Sequence, residues 1–97
     1  MAQVVYSRRA LDHLQRAVTV LTERDPEAAV AAAKAIRSAV DLLADHPLIG
    51  RRIHGNLREL VISYGRTGYV ALYRFLAVSG QVRVLAIKHQ REFRYPL

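Results

Sequence analysis

The amino-acid sequence predicts an α+β domain in the order β-α-α-β-β-β, with an antiparallel sheet packed on one face by a helical hairpin. Three observations support this prediction. Apolar residues recur at helical spacing in the first half of the chain. Short β-rich runs separated by glycine-containing turns fill the second half. The length of 97 residues suits one hydrophobic core, so residues 1–97 are expected to form a single domain.

The first two elements follow from a short β-rich run and an apolar stripe. Residues Gln3 to Tyr6 form the β-rich run, and Ser7 follows it as an N-cap for a helix. Apolar side chains then recur every three or four residues, at Leu11, Leu14, Val18 and Leu21. The spacing predicts a first helix that ends at about Arg24.

Three residues indicate the start of the second helix: Asp25 as a cap, Pro26 at the first helical position and Glu27 as an acid in the first turn. Its apolar face is rich in alanine and comprises Ala29, Ala32, Ala33, Ile36, Val40 and Leu43. Small side chains permit close approach to the first helix, so the two helices are expected to form an antiparallel hairpin. Pro47 is expected to end the second helix.

Residues 48–56 are interpreted as a loop, after which three β-like runs span 57–63, 69–76 and 82–88. The connections YGRTG and AVSGQ are short and contain glycine, which predicts two hairpins and an antiparallel meander.

Alternation along the strands assigns the side chains to faces. One face of the middle run carries Tyr69, Ala71, Tyr73 and Phe75, and the other carries Val70, Leu72, Arg74 and Leu76. In the last run Arg83, Leu85, Ile87 and His89 are expected to share a face. Both faces are apolar at the centre, so we expect an exposed apolar strip on the side away from the helices.

Positive charge is concentrated in the second half of the chain. Residues 1–50 carry six basic and six acidic side chains, whereas residues 51–97 carry nine basic and two acidic ones, which accounts for the net charge of +7. Thirteen of the fifteen basic residues are arginines, which pair in bidentate fashion with carboxylates as well as phosphates. The sheet is therefore expected to meet a polyanion or an acidic protein segment.

Several classes of function lack the residues they need. The chain has no cysteine, which removes thiolate catalysis and cysteine zinc sites. The four histidines show no metal-ligand spacing, and GxSxG, GxxxxGK[ST] and GxGxxG are absent, so neither a metal nor a cofactor is expected. His13 is interpreted as a surface residue. With no apolar run of membrane-spanning length and no signal peptide, a cytoplasmic location without a membrane partner is expected.

The most concentrated chemistry lies at the end of the last strand. A metal-independent ribonuclease needs a proton acceptor, a proton donor and a cation for the phosphorane, roles that His89, Tyr95 and Arg91 could fill. The alternative is that His89 and Tyr95 pack the end of the sheet while the arginines are solvated or bind a partner.

In five segments the chain resembles the RelE/ParE superfamily of toxins from type II toxin–antitoxin modules. The segments are VVYSRRALDHL, HPLIGRR, LREL, GYVALYRF and VRVLAIKHQRE. They span nearly all of residues 3–95, in the β-α-α-β-β-β order of that superfamily.

The superfamily divides by mechanism. RelE-like toxins cut mRNA on the ribosome with a set of basic residues. By the resemblance, Val70 occupies the position of their catalytic arginine in this sequence, and Val61 and Ser63 occupy the positions of their two catalytic lysines. Arg91 matches a catalytic position, and Tyr95 lies four residues after it rather than six. The pattern is more similar to the ParE branch, whose members poison DNA gyrase. A RelE-type endoribonuclease using His89, Arg91 and Tyr95 is the alternative, and a binding module that is inactive as a toxin is a third.

The resemblance also implies partners. A cognate antitoxin is expected to fold its C-terminal segment onto the toxin and to bind operator DNA through its own N-terminal half. DNA gyrase or the ribosome is the expected target. The candidate contacts to antitoxin or target are Arg58, Arg74, Arg83 and Arg91.

Overall fold

The computed structural model describes residues 1–64 and 67–90. Its elements are β1 (Gln3–Tyr6), α1 (Arg8–Arg24), α2 (Pro26–Asp41), a 3-10 turn (Leu42–Ala44), β2 (Arg51–His54), β3 (Leu57–Tyr64), β4 (Thr67–Leu76) and β5 (Gln81–His89). The predicted α+β architecture is confirmed: the two helices pack on one face of a five-stranded sheet. Neither helix has the length and hydropathy that would let it cross a membrane.

The sheet has the strand order β1-β5-β4-β3-β2. Strands β2 to β5 pair antiparallel, as the predicted hairpins require. β1 instead pairs parallel with β5, with Gln3 opposite Gln81 and Tyr6 opposite Val84. The sheet is therefore mixed rather than wholly antiparallel, because the helical hairpin carries the chain from β1 across the sheet before the meander begins.

β2 lies within the segment that the sequence analysis interpreted as a loop. Arg51 pairs with Glu59 and Arg52 with Arg58, and a bulge follows before His54. All four residues of β2 are exposed, so no alternation of apolar and polar side chains marks the strand. Gly55 then turns the chain into β3 with a φ of 56°, a conformation that costs glycine little.

Both helices begin at the predicted caps. The Ser7 hydroxyl accepts a hydrogen bond from the backbone N–H of Ala10 at 3.0 Å, and Asp25 Oδ1 accepts one from Ala28 at 3.2 Å. The side chains between the helices and the sheet form one buried cluster: Ala10, Ala32, Ile36, Val40, Leu43, Ile62, Tyr69, Ala71, Tyr73, Val82, Val84 and Ile87. The predicted stripe of α2 thus lies in this core, whereas from the predicted stripe of α1 only Leu14 and Leu21 pack against it and Leu11 is 49% exposed.

A β-bulge in β5 changes the faces predicted for that strand. Leu72 lies opposite Ala86 but Tyr73 lies opposite Val84, so Leu85 is an extra residue. The extra residue reverses the alternation, and Ile87 joins the helix-facing core together with Val84. The predicted grouping of Arg83, Leu85, Ile87 and His89 on one face was therefore wrong, because strict alternation holds only in an uninterrupted ladder.

Candidate functional site

The face of the sheet away from the helices is built from cross-strand rows of side chains. One row joins Val61, Val70 and Lys88 across β3, β4 and β5, and the next joins Glu59, Leu72 and Ala86. A third row contains Leu57, Arg74 and Arg83. Cations therefore border an apolar centre, as the sequence predicts.

The apolar strip expected on this open face is smaller than predicted. Leu72 and Ala86, at its centre, have no exposed surface. Val61 is 54% exposed and Val70 is partly exposed. Within the described residues, the accessible apolar surface near the centre of this face is therefore the valine pair, and Leu57 and Leu76 are partly exposed further along it.

Arg58, a predicted partner contact, holds a loop. Its Nη1 donates hydrogen bonds to the carbonyl oxygens of Gly50 at 2.8 Å and Leu48 at 3.1 Å. Tyr73 supports the same loop, since its hydroxyl donates to the Pro47 carbonyl at 2.8 Å and accepts from the Gly50 N–H at 2.9 Å. A side chain at Gly50 would come within 2.6 Å of Tyr73, so only glycine fits here. These bonds make Arg58 less available than Arg74 and Arg83, the other predicted contact arginines that the structure describes.

Arg74 and Arg83 are better placed to receive an anion. Arg74 Nη1 donates to Asn56 Oδ1, and Arg83 Nε donates to Gln81 Oε1 at 2.6 Å. Both partners are neutral amides, so neither bond neutralises the guanidinium charge. By contrast, Arg51 forms an ion pair with Glu59 across β2 and β3. Arg91 and Tyr95 lie outside the described residues.

His89 lies away from this open face. It occupies the helix-facing side of β5, where its ring meets that of Tyr69 edge-on, with the ring centroids 5.4 Å apart. Both rings line a cleft of about 420 Å³ between α1 and the paired ends of β4 and β5. The structure therefore separates His89 from Arg83, with which the predicted alternation had grouped it.

The cleft combines an apolar floor with a basic rim. The floor is formed by Ala17, Val20, Leu21, Tyr69 and Ile87. The rim is formed by His13, Arg16, Arg24, Lys88 and His89. Within the described part of the chain, no carboxylate lines it. Such a surface suits a ligand that is apolar on one side and negatively charged at its border.

His13 joins α1 to the edge of β5. Its Nδ1 accepts a hydrogen bond from the backbone N–H of Ile87 at 3.2 Å, beyond the point where β1 ends. Ser7 precedes it along the same edge, with its N–H donating to the Val84 carbonyl and its hydroxyl donating to the Leu85 carbonyl. Partial burial lowers the pKa of His13, and the nearby charges of Arg16, Lys88 and Arg9 lower it further, against the opposing charge of Asp12.

His13 keeps part of its surface exposed, as the sequence interpretation expected, but its hydrogen bond to β5 was not predicted. Its partner lies 74 residues away, so no local pattern identifies it. One signal was available in the lengths of the strands, because β1 is much shorter than β5. The backbone N–H and C=O groups of β5 that extend beyond β1 need hydrogen bonds from another element.

The chain and its fold have clear counterparts among known proteins. A family model described as the ParE toxin of the type II toxin–antitoxin system parDE matches residues 4–93. The chain belongs to the ParE toxin family. It is thus a toxin of the type II toxin–antitoxin class within the RelE/ParE superfamily, as the resemblance in the sequence implied.

Relatives of this ParE-family chain carry RelE names. Toxin RelE1 of Caulobacter vibrioides is 37% identical over 91 residues, which cover 94% of this chain and 96% of the relative. Toxin RelE3 of the same organism is 40% identical over 88 residues, covering 91% and 90% respectively. Family membership is therefore established, but the names of the relatives do not distinguish ParE activity from RelE activity.

Two solved structures share the fold. The chromosomal ParDE toxin–antitoxin system from P. aeruginosa superposes with a TM-score of 0.71 at 21% identity, covering 91% of this chain and 95% of that one. The intact E. coli RelBE complex gives a TM-score of 0.62 at 14% identity, covering 91% and 95%. Both likenesses support the α+β fold of the ParE family.

Proposed function

We propose that this ParE-family toxin inhibits DNA gyrase and is neutralised by a cognate antitoxin. The observation that carries the proposal is the direct pairing of Val61 with Val70 on the open face. By the resemblance, RelE-type catalysis uses cations at both positions. An apolar pair there removes stabilisation of the phosphorane, and a single such donor contributes about 3–4 kcal/mol.

An antitoxin partner is supported by charge and by surface. The chain carries a net charge of +7, and the cleft offers an apolar floor within a basic rim. An acidic amphipathic segment, disordered when free and folded when bound, complements both features. The two solved structures with this fold are toxin–antitoxin systems, which favours the same assembly here. Operator DNA would be contacted through the antitoxin.

RelE-type cleavage of mRNA on the ribosome is the second candidate. The relatives that share 37% and 40% identity with the chain are named RelE toxins. Lys88 lies next to Val70 in the cross-strand row and supplies a cation on that face. In this mechanism His89, Arg91 and Tyr95 would carry the proton transfers and the charge stabilisation.

The deciding experiment is a gyrase supercoiling assay with the purified toxin, with and without its antitoxin. We expect accumulation of linear DNA at toxin excess and relief by the antitoxin. The double variant Arg91→Ala with Tyr95→Phe tests the nuclease groups on ribosomes. Tyr95→Phe alone serves as the control in the gyrase assay, because Arg91 is also a candidate target contact. Unchanged supercoiling, together with mRNA cleavage on ribosomes that this double variant abolishes, would replace the proposal by the RelE-type mechanism.

A further inference from the structure

β2 is an edge strand of the sheet. It lies at the end of the strand order, and within residues 1–64 and 67–90 it pairs with β3 alone. All four of its residues are exposed. An edge strand presents backbone N–H and C=O groups that another chain can pair with.

The surroundings of this edge are unusually apolar for an exposed segment. Leu48 is 59% exposed, Ile49 is 56% exposed and Ile53 is 40% exposed. A pocket of about 250 Å³ adjoins the strand and is lined by Leu48, Arg52, Gly55, Asn56, Arg58 and Phe75. Strand addition typically combines main-chain pairing with a pocket that accepts an alternate side chain, and both are present here.

The charge at this edge selects the partner. β2 contributes Arg51 and Arg52, and Glu59 is the carboxylate that faces Arg51. Arg52 Nε donates to the Gly55 carbonyl, which leaves its charge uncompensated by that bond. A second copy of the chain would bring arginines against arginines along the edge, whereas an acidic strand would be attracted.

We propose that the β2 edge is a docking site for an extended acidic segment of the antitoxin. The segment pairs with β2 as a sixth strand, inserts one apolar side chain beside Leu48 and Phe75, and places carboxylates near Arg51 and Arg52. The proposal rests on the antitoxin partner inferred above and is independent of whether gyrase or the ribosome is the target. It adds a contact surface at the sheet edge opposite β1, away from the cleft beside α1.

Hydrogen exchange on the purified toxin–antitoxin complex tests the docking site. We expect those amides of residues 51–54 that point away from β3 to exchange at least about tenfold more slowly in the complex than in the free toxin, because pairing with a sixth strand engages them. Arg52→Glu is expected to weaken the complex at least about tenfold. Lys34→Glu, an equal charge change on an exposed position of α2, is expected to weaken it less than about threefold.

Several outcomes would overturn the inference. A neutralised complex in which residues 51–54 exchange at the free rate would exclude the edge while leaving the antitoxin proposal standing. Equal weakening by the two charge variants would also exclude it. Concentration-dependent protection of residues 51–54 in the toxin alone would identify a second copy as the occupant. Failure to form any complex would overturn the antitoxin proposal itself. The exchange of the wild-type complex remains decisive even where Arg52→Glu impairs folding.

Discussion

Two buried tyrosine hydroxyls illustrate how differently single residues contribute to this fold. Tyr73 has no exposed surface, and its hydroxyl bonds to both ends of the loop between Pro47 and Gly50. The Tyr6 hydroxyl is equally hidden and has no hydrogen-bond partner among the described residues. Burial raises the pKa of both phenols.

Removing the two hydroxyls should therefore change the free energy of unfolding by different amounts. We expect Tyr73→Phe to lower the free energy of unfolding by about 1–3 kcal/mol, because the buried Pro47 carbonyl and Gly50 N–H lose their partner. Tyr6→Phe should change it by less than about 0.5 kcal/mol or raise it, since no hydrogen bond is lost. Urea unfolding of the two variants and the wild type checks this. Equal destabilisation by both substitutions would show that the loop bonds are not what Tyr73 contributes.

The side-chain hydrogen bonds that the sequence did not predict share one property. Arg58 reaches loop carbonyls eight and ten positions earlier, and His13 reaches the backbone 74 positions later. A propensity or a periodicity describes neighbours along one element, so it is silent about a side chain that bonds to another element. The caps at Ser7 and Asp25 were predictable because donor and acceptor lie three residues apart.

At the scale of elements, the hydrogen bond between His13 and Ile87 makes the contact between α1 and β5 sensitive to pH. His13 accepts the bond through Nδ1, so the neutral ring is the competent form. Burial and the charges of Arg16, Lys88 and Arg9 hold its pKa in the folded state below the ordinary value. As the pH falls below about 6.5, the unfolded chain takes up the proton first, and the folded state loses stability.

We therefore expect the free energy of unfolding to be constant, with respect to this group, well above the ordinary histidine pKa of about 6.5, and to decline as the pH falls below it. His13→Asn should remove that part of the decline, whereas His46→Asn, at an exposed position after α2, should retain it. Unfolding curves at a series of pH values provide the measurement. A decline of the same size in His13→Asn would place the sensitive group elsewhere.

The elements with a regular burial pattern were predictable, whereas strand β2 and the bulge within β5 were not. The helices and the strands β3, β4 and β5 carry periodic apolar residues that meet in one core. β2 buries nothing, and the bulge at Leu85 adds one residue that no alternation anticipates. Both features are set by pairing between strands, which a single sequence records only weakly.

For the molecule as a whole, the separation of charge governs how fast a partner arrives. The helical half is neutral, and the strand-forming half carries the net charge of +7. Such a field accelerates encounter with an acidic segment, and salt screens it over a Debye length of about 8–10 Å at physiological ionic strength.

We expect the association rate constant of toxin and antitoxin to fall at least about tenfold between 50 and 500 mM NaCl, while the dissociation rate constant changes far less. Stopped-flow or surface-based kinetics measures both. An association rate that does not respond to salt would mean that the acidic character assigned to the partner is mistaken.

The parallel pairing of β1 with β5 also determines when the sheet can be completed. Gln3 finds its partner at Gln81, near the end of the chain, and β5 is the strand that joins β1 to the rest of the sheet. During synthesis the first strand must therefore wait until β5 has emerged before it can pair. A nascent or prematurely terminated chain that lacks β5 leaves β1 without its place in the sheet.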